Sequence, residues 1–448
     1  PSSLPPEPPS SGEAPSSGPL GSTQSCHPQC QHPQGRLAVK RARNRPSVES
    51  GRGRRKVDEQ TGCSDVAIDP NDPQTLFAGM WQLDIKTWKL NSGGPGSGVY
   101  VSRDGGTSWQ KLVGRGLPPA DHVVGKTAVA VSASRPGLVF ALIEDATPGL
   151  YRSEDSGATW RLVQEDHVLA ERAPYYVRFA IAPDNENVLY FASVSWSVSL
   201  DGGRSLDPTA ARAGGDNHDI WIDPLDPRRI MVAHDQGIGI SLDRGRTYEQ
   251  VRLPIAQMYH VAVDTQIPYF VYGSRQDGQT MRGPSKSLMG ATPGGGPGGI
   301  PVGLWRHVGG CEDGFAIPDW QDNNIVWAGC FDGQLDRFDL RTSVARSVDV
   351  WPEATYGWAP ADVKERWHWN FPLAISPHDH NVVYAGSQRV HMTSDGGSSW
   401  KPISPDLTLN DKSRQQSSGG ITPDNLMTWD GSTLYAITES PVEKGLIW

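Results

Sequence analysis

Five cysteines in 448 residues are few, and Cys26, Cys30, Cys63, Cys311 and Cys330 are too irregularly spaced for a disulfide framework to stand in for a hydrophobic core. Cys311 and Cys330 flank one pair of apolar segments, where a bond and two buried thiols are equally open readings. Long apolar runs are missing too: nothing approaches the roughly 18 residues that cross a bilayer, so no membrane span is expected, and no secretory h-region follows Pro1. There is no convincing helical periodicity, no G-x-S-x-G elbow, no P-loop and no H-E-x-x-H spacing. Serine-hydrolase, phosphate-loop and zincin chemistry are thereby set aside. The glycine-rich Gly290 to Gly303 has no Lys-Ser/Thr and opens no helix, so it reads as an insertion and not a phosphate cradle. Cys26, His27, Cys30 and His32 would suffice as zinc ligands, yet nothing around them looks foldable; neither a metal nor a cofactor is expected.

Charge is unevenly placed. Residues 1–56 are Pro/Ser/Gly-rich and then basic, and are expected to be a disordered low-complexity and basic tail. The remainder is acidic enough to bring the chain to a net charge of -9, which argues against nucleic acid as a partner. Oligomeric state cannot be read from these features.

What is abundant is a short pattern: a hydroxyl residue, then Asp, Gly and an aromatic at fixed offsets. It occurs five times, from Ser102 to Trp109, Ser153 to Trp160, Ser199 to Leu206, Ser241 to Tyr248 and Thr393 to Trp400. Each copy lies between strand-like runs and reads as a hairpin, its hydroxyl and carboxylate accepting backbone N–H bonds and its glycine supplying positive φ. Asp104, Asp155, Asp201, Asp243 and Asp395 are therefore structural acids. A second pattern, an alternating apolar strand, a Pro/Asp/Asn turn and another apolar strand, recurs eight times, the markers from Val66 to Tyr435 lying 40 to 63 residues apart. Units of that length with period-two alternation predict an all-β, multi-bladed β-propeller, a fragment of a larger single or double propeller. We expect it over residues 57–448, as about seven blades and a partial eighth, truncated at both ends. Phe331 to Asp339 reads as a decayed copy of the hairpin motif.

The chain resembles bacterial Asp-box (BNR) repeat propellers of the sortilin-N-terminal-like or glycosyl-hydrolase-like type. The resemblance rests on the strings Asn91 to Gly98, Gly214 to Pro224, Leu253 to Asp264, Gly273 to Gly278 and Arg366 to Asp379. It implies an exported, longer protein, distantly akin to xyloglucanase-type glycoside hydrolases and to sortilin, a ligand-binding receptor. Fold alone does not choose between enzyme and receptor. A sialidase is set aside, because no Arg-Ile-Pro string is present and Ala316-Ile317-Pro318 lacks the arginine.

Polar residues at blade edges are the candidate site: Asp216, His218, Asp219, His234, Asp235, His260, Asp264, Arg275, Gln276, Asp277, Glu312 and Asp313. As a glycosidase, Asp219 with Asp277 or Glu312 would be the catalytic pair. Trp81, Trp88, Trp358, Trp367 and Trp369 would then stack on sugar rings. The reading preferred is an extracytoplasmic binding or scaffold module for a glycan or peptide; the alternative is a glycoside hydrolase acting on a plant-type or β-glucan polysaccharide.

Overall fold

A computed structural model describes residues 57–251, 255–287, 299–353, 355, 357–425 and 432–448. The tail, including Cys26, His27, Cys30 and His32, lies outside the described residues. Seven sheets follow one another along the chain, each formed by antiparallel strands adjacent in sequence, the first joined also by Gly419–Gly420 in parallel. Their first strands are Thr61–Ile68, Thr127–Val131, Arg178–Ala182, Asn217–Ile222, Met258–Val263, Ala316–Pro318 and Leu373–Ile375, opening blades 1 to 7 in turn. This is a β-propeller.

Why these segments form blades is visible in blade 2. Val139–Ile143 is buried throughout, and its alternate residues serve opposite faces: Val139, Ala141 and Ile143 join blade 1, while Phe140 and Leu142 join blade 3. Equivalent clusters join blades 3 and 4 through Tyr190, Trp196 and Val232, blades 5 and 6 through Tyr272 and Phe338, and blades 6 and 7 through Trp327 and Phe371. Each large side chain buried this way stabilises the fold by about 1.5–3 kcal/mol. Blades 4 and 5 differ. Trp221 is 47 % exposed on blade 4, and Val261 and Val263 are 65 % and 55 % exposed on blade 5, so this seam is open.

All five hairpin motifs make the same bonds. In blade 2, Ser153 Oγ donates to Asp155 Oδ1 at 2.8 Å and accepts from Gly157 N at 2.8 Å. Thr159 donates its N–H to Oδ1 at 2.8 Å and its hydroxyl to Oδ2 at 2.6 Å. These bonds pull the Asp155 carboxyl down to about 2. In blade 3, Leu206 replaces the aromatic, and that sheet has three regular strands.

One expectation needs correction, and one open reading is settled. Phe331 to Asp339 is not a decayed hairpin motif: it is the turn after the second strand of blade 6 and the third strand itself, Leu335–Asp339. Position 330 is a cysteine, which lacks the hydroxyl that ties the true motif together. The motif's place in blade 6 is taken by the turn between Leu335–Asp339 and Val344–Ser347, and in blade 5 by the long connection between Met281–Pro284 and Arg306–His307, which carries the glycine-rich insertion. Cys311 and Cys330 are bonded, with Cα atoms 4.9 Å apart.

Candidate functional site

Antiparallel four-stranded blades put their connections on two faces. The turns after first and third strands fall on one, here the lower face; those after second strands, and the links between blades, fall on the other. Every copy of the hydroxyl-Asp-Gly hairpin motif follows a third strand and is on the lower face. Asp216, Asp235, Gln276, Asp277, Glu312 and Asp313 all fall on the upper face. Repeat chemistry and candidate site are thus on opposite sides of the disc.

Over blades 1 to 3 the upper face is occupied by the chain itself. Gly419–Gly420 pairs in parallel with Asn91 and Ser92, at the end of a hairpin that extends the second strand of blade 1. Beneath it, Glu144 Oε2 accepts from Ser92 Oγ at 2.5 Å and from Lys126 N at 2.7 Å. Burial raises Glu144 above the usual carboxyl range and, with repulsion from Arg178, lowers Lys126 to about 8. Lys126 Nζ donates to the carbonyls of Pro174 and Tyr175 at 3.2 and 3.1 Å. Reading the sequence missed this cluster, since a lone Lys and a lone Glu carry no motif.

Over blades 4 to 6 the face is acidic. Burial, then the bond from the Glu312 carboxyl to the Asp277 carboxylate, raises Glu312 to about 7. Asp277 N donates to Glu312 Oε2 at 2.8 Å, while the Gln276 amide reaches both Asp277 Oδ1 (2.9 Å) and Glu312 Oε2 (3.3 Å). Asp313 is fully buried, and among the described residues neither carboxylate oxygen has a hydrogen-bond partner. Desolvation, then the charges of Glu312 and Asp332, raises it to about 9. Asp216 is raised by burial, offset by its bond with Tyr176, and raised further by Asp235 and Asp277. Asp216, Asp277, Asp313 and Asp332 all adopt left-handed backbone, φ between 52° and 61°, which aspartate tolerates better than bulkier residues.

The remaining candidates are dispersed. His218 bonds Asp235 and packs on Tyr176. His234 is buried, with Nε2 2.9 Å from Gln250 Oε1. His260 stacks on Phe315 between blades 5 and 6, its ring centroid 3.8 Å away. Asp264 is on the lower face, accepting from Phe270 N and Tyr272 Oη. Arg275 lies over Gly278. Asp219 is exposed and accepts from Ile220 N at 2.9 Å; no described contact joins it to Asp277 or Glu312. Trp81 and Trp367 are not the sugar platforms expected of exposed rings: both are buried, Trp367 against Phe371. Trp88 lies under Arg414, and Trp358 is exposed. Trp369, half-buried, stacks on Phe331 with centroids 5.1 Å apart. Among the described residues no three His, Cys, Asp or Glu side chains come together as metal ligands, and no helix is long and apolar enough to cross a membrane.

An all-β propeller with an acidic upper mouth is therefore the class these elements define. No family model matches the chain, and no curated protein matches it. Solved structures similar to it include the GH74 xyloglucanase from Xanthomonas campestris, 14 % identical, covering 85 % of this chain and 49 % of that one at a TM-score of 0.30. YCF48 from Cyanidioschyzon merolae is 13 % identical over 75 % of this chain and 94 % of that one (TM-score 0.31), and AztD from Citrobacter koseri 12 % identical over 80 % and 87 % (TM-score 0.24). The chain spans about half the length of the xyloglucanase.

Proposed function

We propose that the chain is an extracytoplasmic propeller module that binds a ligand at the upper mouth of blades 4 to 6. The observation that carries this reading is Asp313, fully buried with no hydrogen-bond partner for either oxygen among the described residues, whereas the upper face of blade 1 is met by Gly419–Gly420. Buried polar groups are ordinarily partnered, so a carboxylate orphaned among the described residues calls for an external partner. The Cys311–Cys330 bond supports an oxidising compartment. Its ring ties the loop bearing Glu312 and Asp313 to the end of a blade 6 strand, which gives the mouth a rigid rim.

Glycoside hydrolysis is the second reading, favoured by one observation: Glu312, at about 7, has the acidity of a general acid. Against it, the bonded Glu312–Asp277 pair is too close to flank a sugar bond, which requires carboxyl groups about 5 Å or more apart. Glycan and peptide binding measured beside reducing-end release from xyloglucan and mixed-linkage glucan separates the two. Release that disappears in Glu312→Gln or Asp277→Ala would overturn the binding reading; saturable binding without release supports it.

A further inference from the structure

Three aromatic rings stand beside the carboxylates of the mouth. Trp369 stacks on Phe331, with an interplanar angle of 10°, and its indole lies near the hydroxyl of Tyr259, which itself bonds Gln276. All three are half-buried, so each keeps part of its surface open. Tyr259 lies within the field of Asp277, Glu312 and Asp313. The assembly is pinned from several sides. Gly314 N donates to Asn370 Oδ1 at 2.8 Å, Thr355 bonds Asp332, and the Cys311–Cys330 bridge holds the loop carrying Asp313 against the strand end that leads into Phe331 and Asp332.

We propose, resting on the binding reading above, that this corner receives an organic cation, the ammonium or guanidinium group of a lysine or arginine side chain in a peptide, between the Tyr259, Trp369 and Phe331 rings and the carboxylates of Glu312, Asp313 and Asp332. Aromatic faces attract cations through their quadrupoles, and the attraction grows where water is excluded. The charged groups acting on Asp313 are both anionic, Glu312 and Asp332, so the corner has a local excess of negative charge. A cation held on the half-buried Glu312 and the rings supplies the positive charge that the fully buried Asp313 lacks. Neutral sugars and anionic peptides do not. A bare metal ion is disfavoured, because no metal-ligating trio forms among the described residues. Because Asp313 and Glu312 hold protons more tightly than ordinary carboxyls, cation binding ionises them and releases protons to the buffer.

The test is calorimetric titration of the full chain with three N-acetylated, C-amidated Gly-Xaa-Gly peptides in which Xaa is lysine, trimethyllysine or acetyllysine. Lysine and trimethyllysine are expected to bind about tenfold or more tightly than acetyllysine, which keeps the shape and loses the charge. Repeating the lysine titration in buffers of different ionisation enthalpy should show proton release. Asp313→Asn and Tyr259→Ala should each weaken binding by about tenfold; Asp332→Asn replaces the first if it does not fold. Equal affinity for acetyllysine, or affinity unchanged in both variants, overturns the cation site. Displacement of the lysine peptide by stoichiometric calcium or zinc overturns it in favour of a metal. Tight binding of a neutral oligosaccharide at the same mouth, without cation preference, overturns this inference and leaves the binding module standing; turnover of that oligosaccharide removes both.

Discussion

Asp155 and Asp313 carry the same side chain, and the fold moves their acidity in opposite directions. Asp155 sits in its hairpin with donors on both oxygens and titrates near 2, against about 3.9 in an unfolded chain. Its stabilisation is complete above about pH 4 and is lost as pH falls through 2. Asp155→Ala should lower the thermal midpoint at pH 7, by an amount corresponding to about 1–2 kcal/mol for the lost bonds, and the gap should narrow at pH 2.5. Asp313 titrates near 9, so its contribution favours the folded state fully below about pH 4 and is lost as pH rises toward 9. Asp313→Asn should raise the midpoint at pH 8 by about 3 °C or more and leave it almost unchanged at pH 4. The groups facing this corner, Glu312, Asp332, Asp277, Asp216, Tyr259 and Arg275, remain in both forms of the comparison, so the difference reports Asp313. A midpoint lowered equally at both values would show that the carboxyl has an unseen partner.

At the scale of the blade, the string Asp-x-x-Ile-Asp-Pro occurs in blade 1 from Asp65 and in blade 4 from Asp219, and each first aspartate accepts the next N–H at 2.9 Å. Only Asp65 goes on to join a neighbour: Oδ2 accepts from Val129 N at 3.0 Å in blade 2, and Oδ1 pairs with Arg178 at 2.5 Å. Asp65→Ala should therefore cost about 1–3 kcal/mol in denaturant unfolding, whereas Asp219→Ala, facing the open seam, should stay within about 0.5 kcal/mol. Equal costs would mean that blades 4 and 5 close in solution. The same comparison shows what was legible in the sequence. The five hairpin motifs and the strand pairs are local, closing within a few residues, so turn chemistry and alternation located them. An Asp-Gly pair alone was ambiguous: Asp277-Gly278 and Asp332-Gly333 end second strands on the upper face, and only the preceding hydroxyl marks a lower-face hairpin. The upper-face placement of Asp216 and Glu312 follows from counting strands. That Trp367 is core and Asp219 a blade-edge acid does not, because both depend on the neighbouring blade.

The molecule as a whole is tied by a contact no local pattern could announce. Leu90 N donates to Ser418 Oγ at 3.0 Å across 328 residues, and Ile421 N donates to Ser92 O at 3.1 Å. Gly420 makes this approach possible: its φ is +80°, and a Cβ there would stand 2.3 Å from Ser92 O. Gly420→Val should remove about 2–4 kcal/mol and broaden the urea transition, as blade 1 loses its tie to the segment that follows blade 7. An unchanged single transition would show that the pairing contributes little. The separation of these partners also sets an order in time. During synthesis the outer hairpin of blade 1 must wait, its edge unpaired, until every blade through the seventh has left the ribosome; closing so long a loop is entropically slow. Blade 1 is thus completed only after blade 7 has been made, and in that interval its exposed edge is where a chaperone or a second nascent chain would engage.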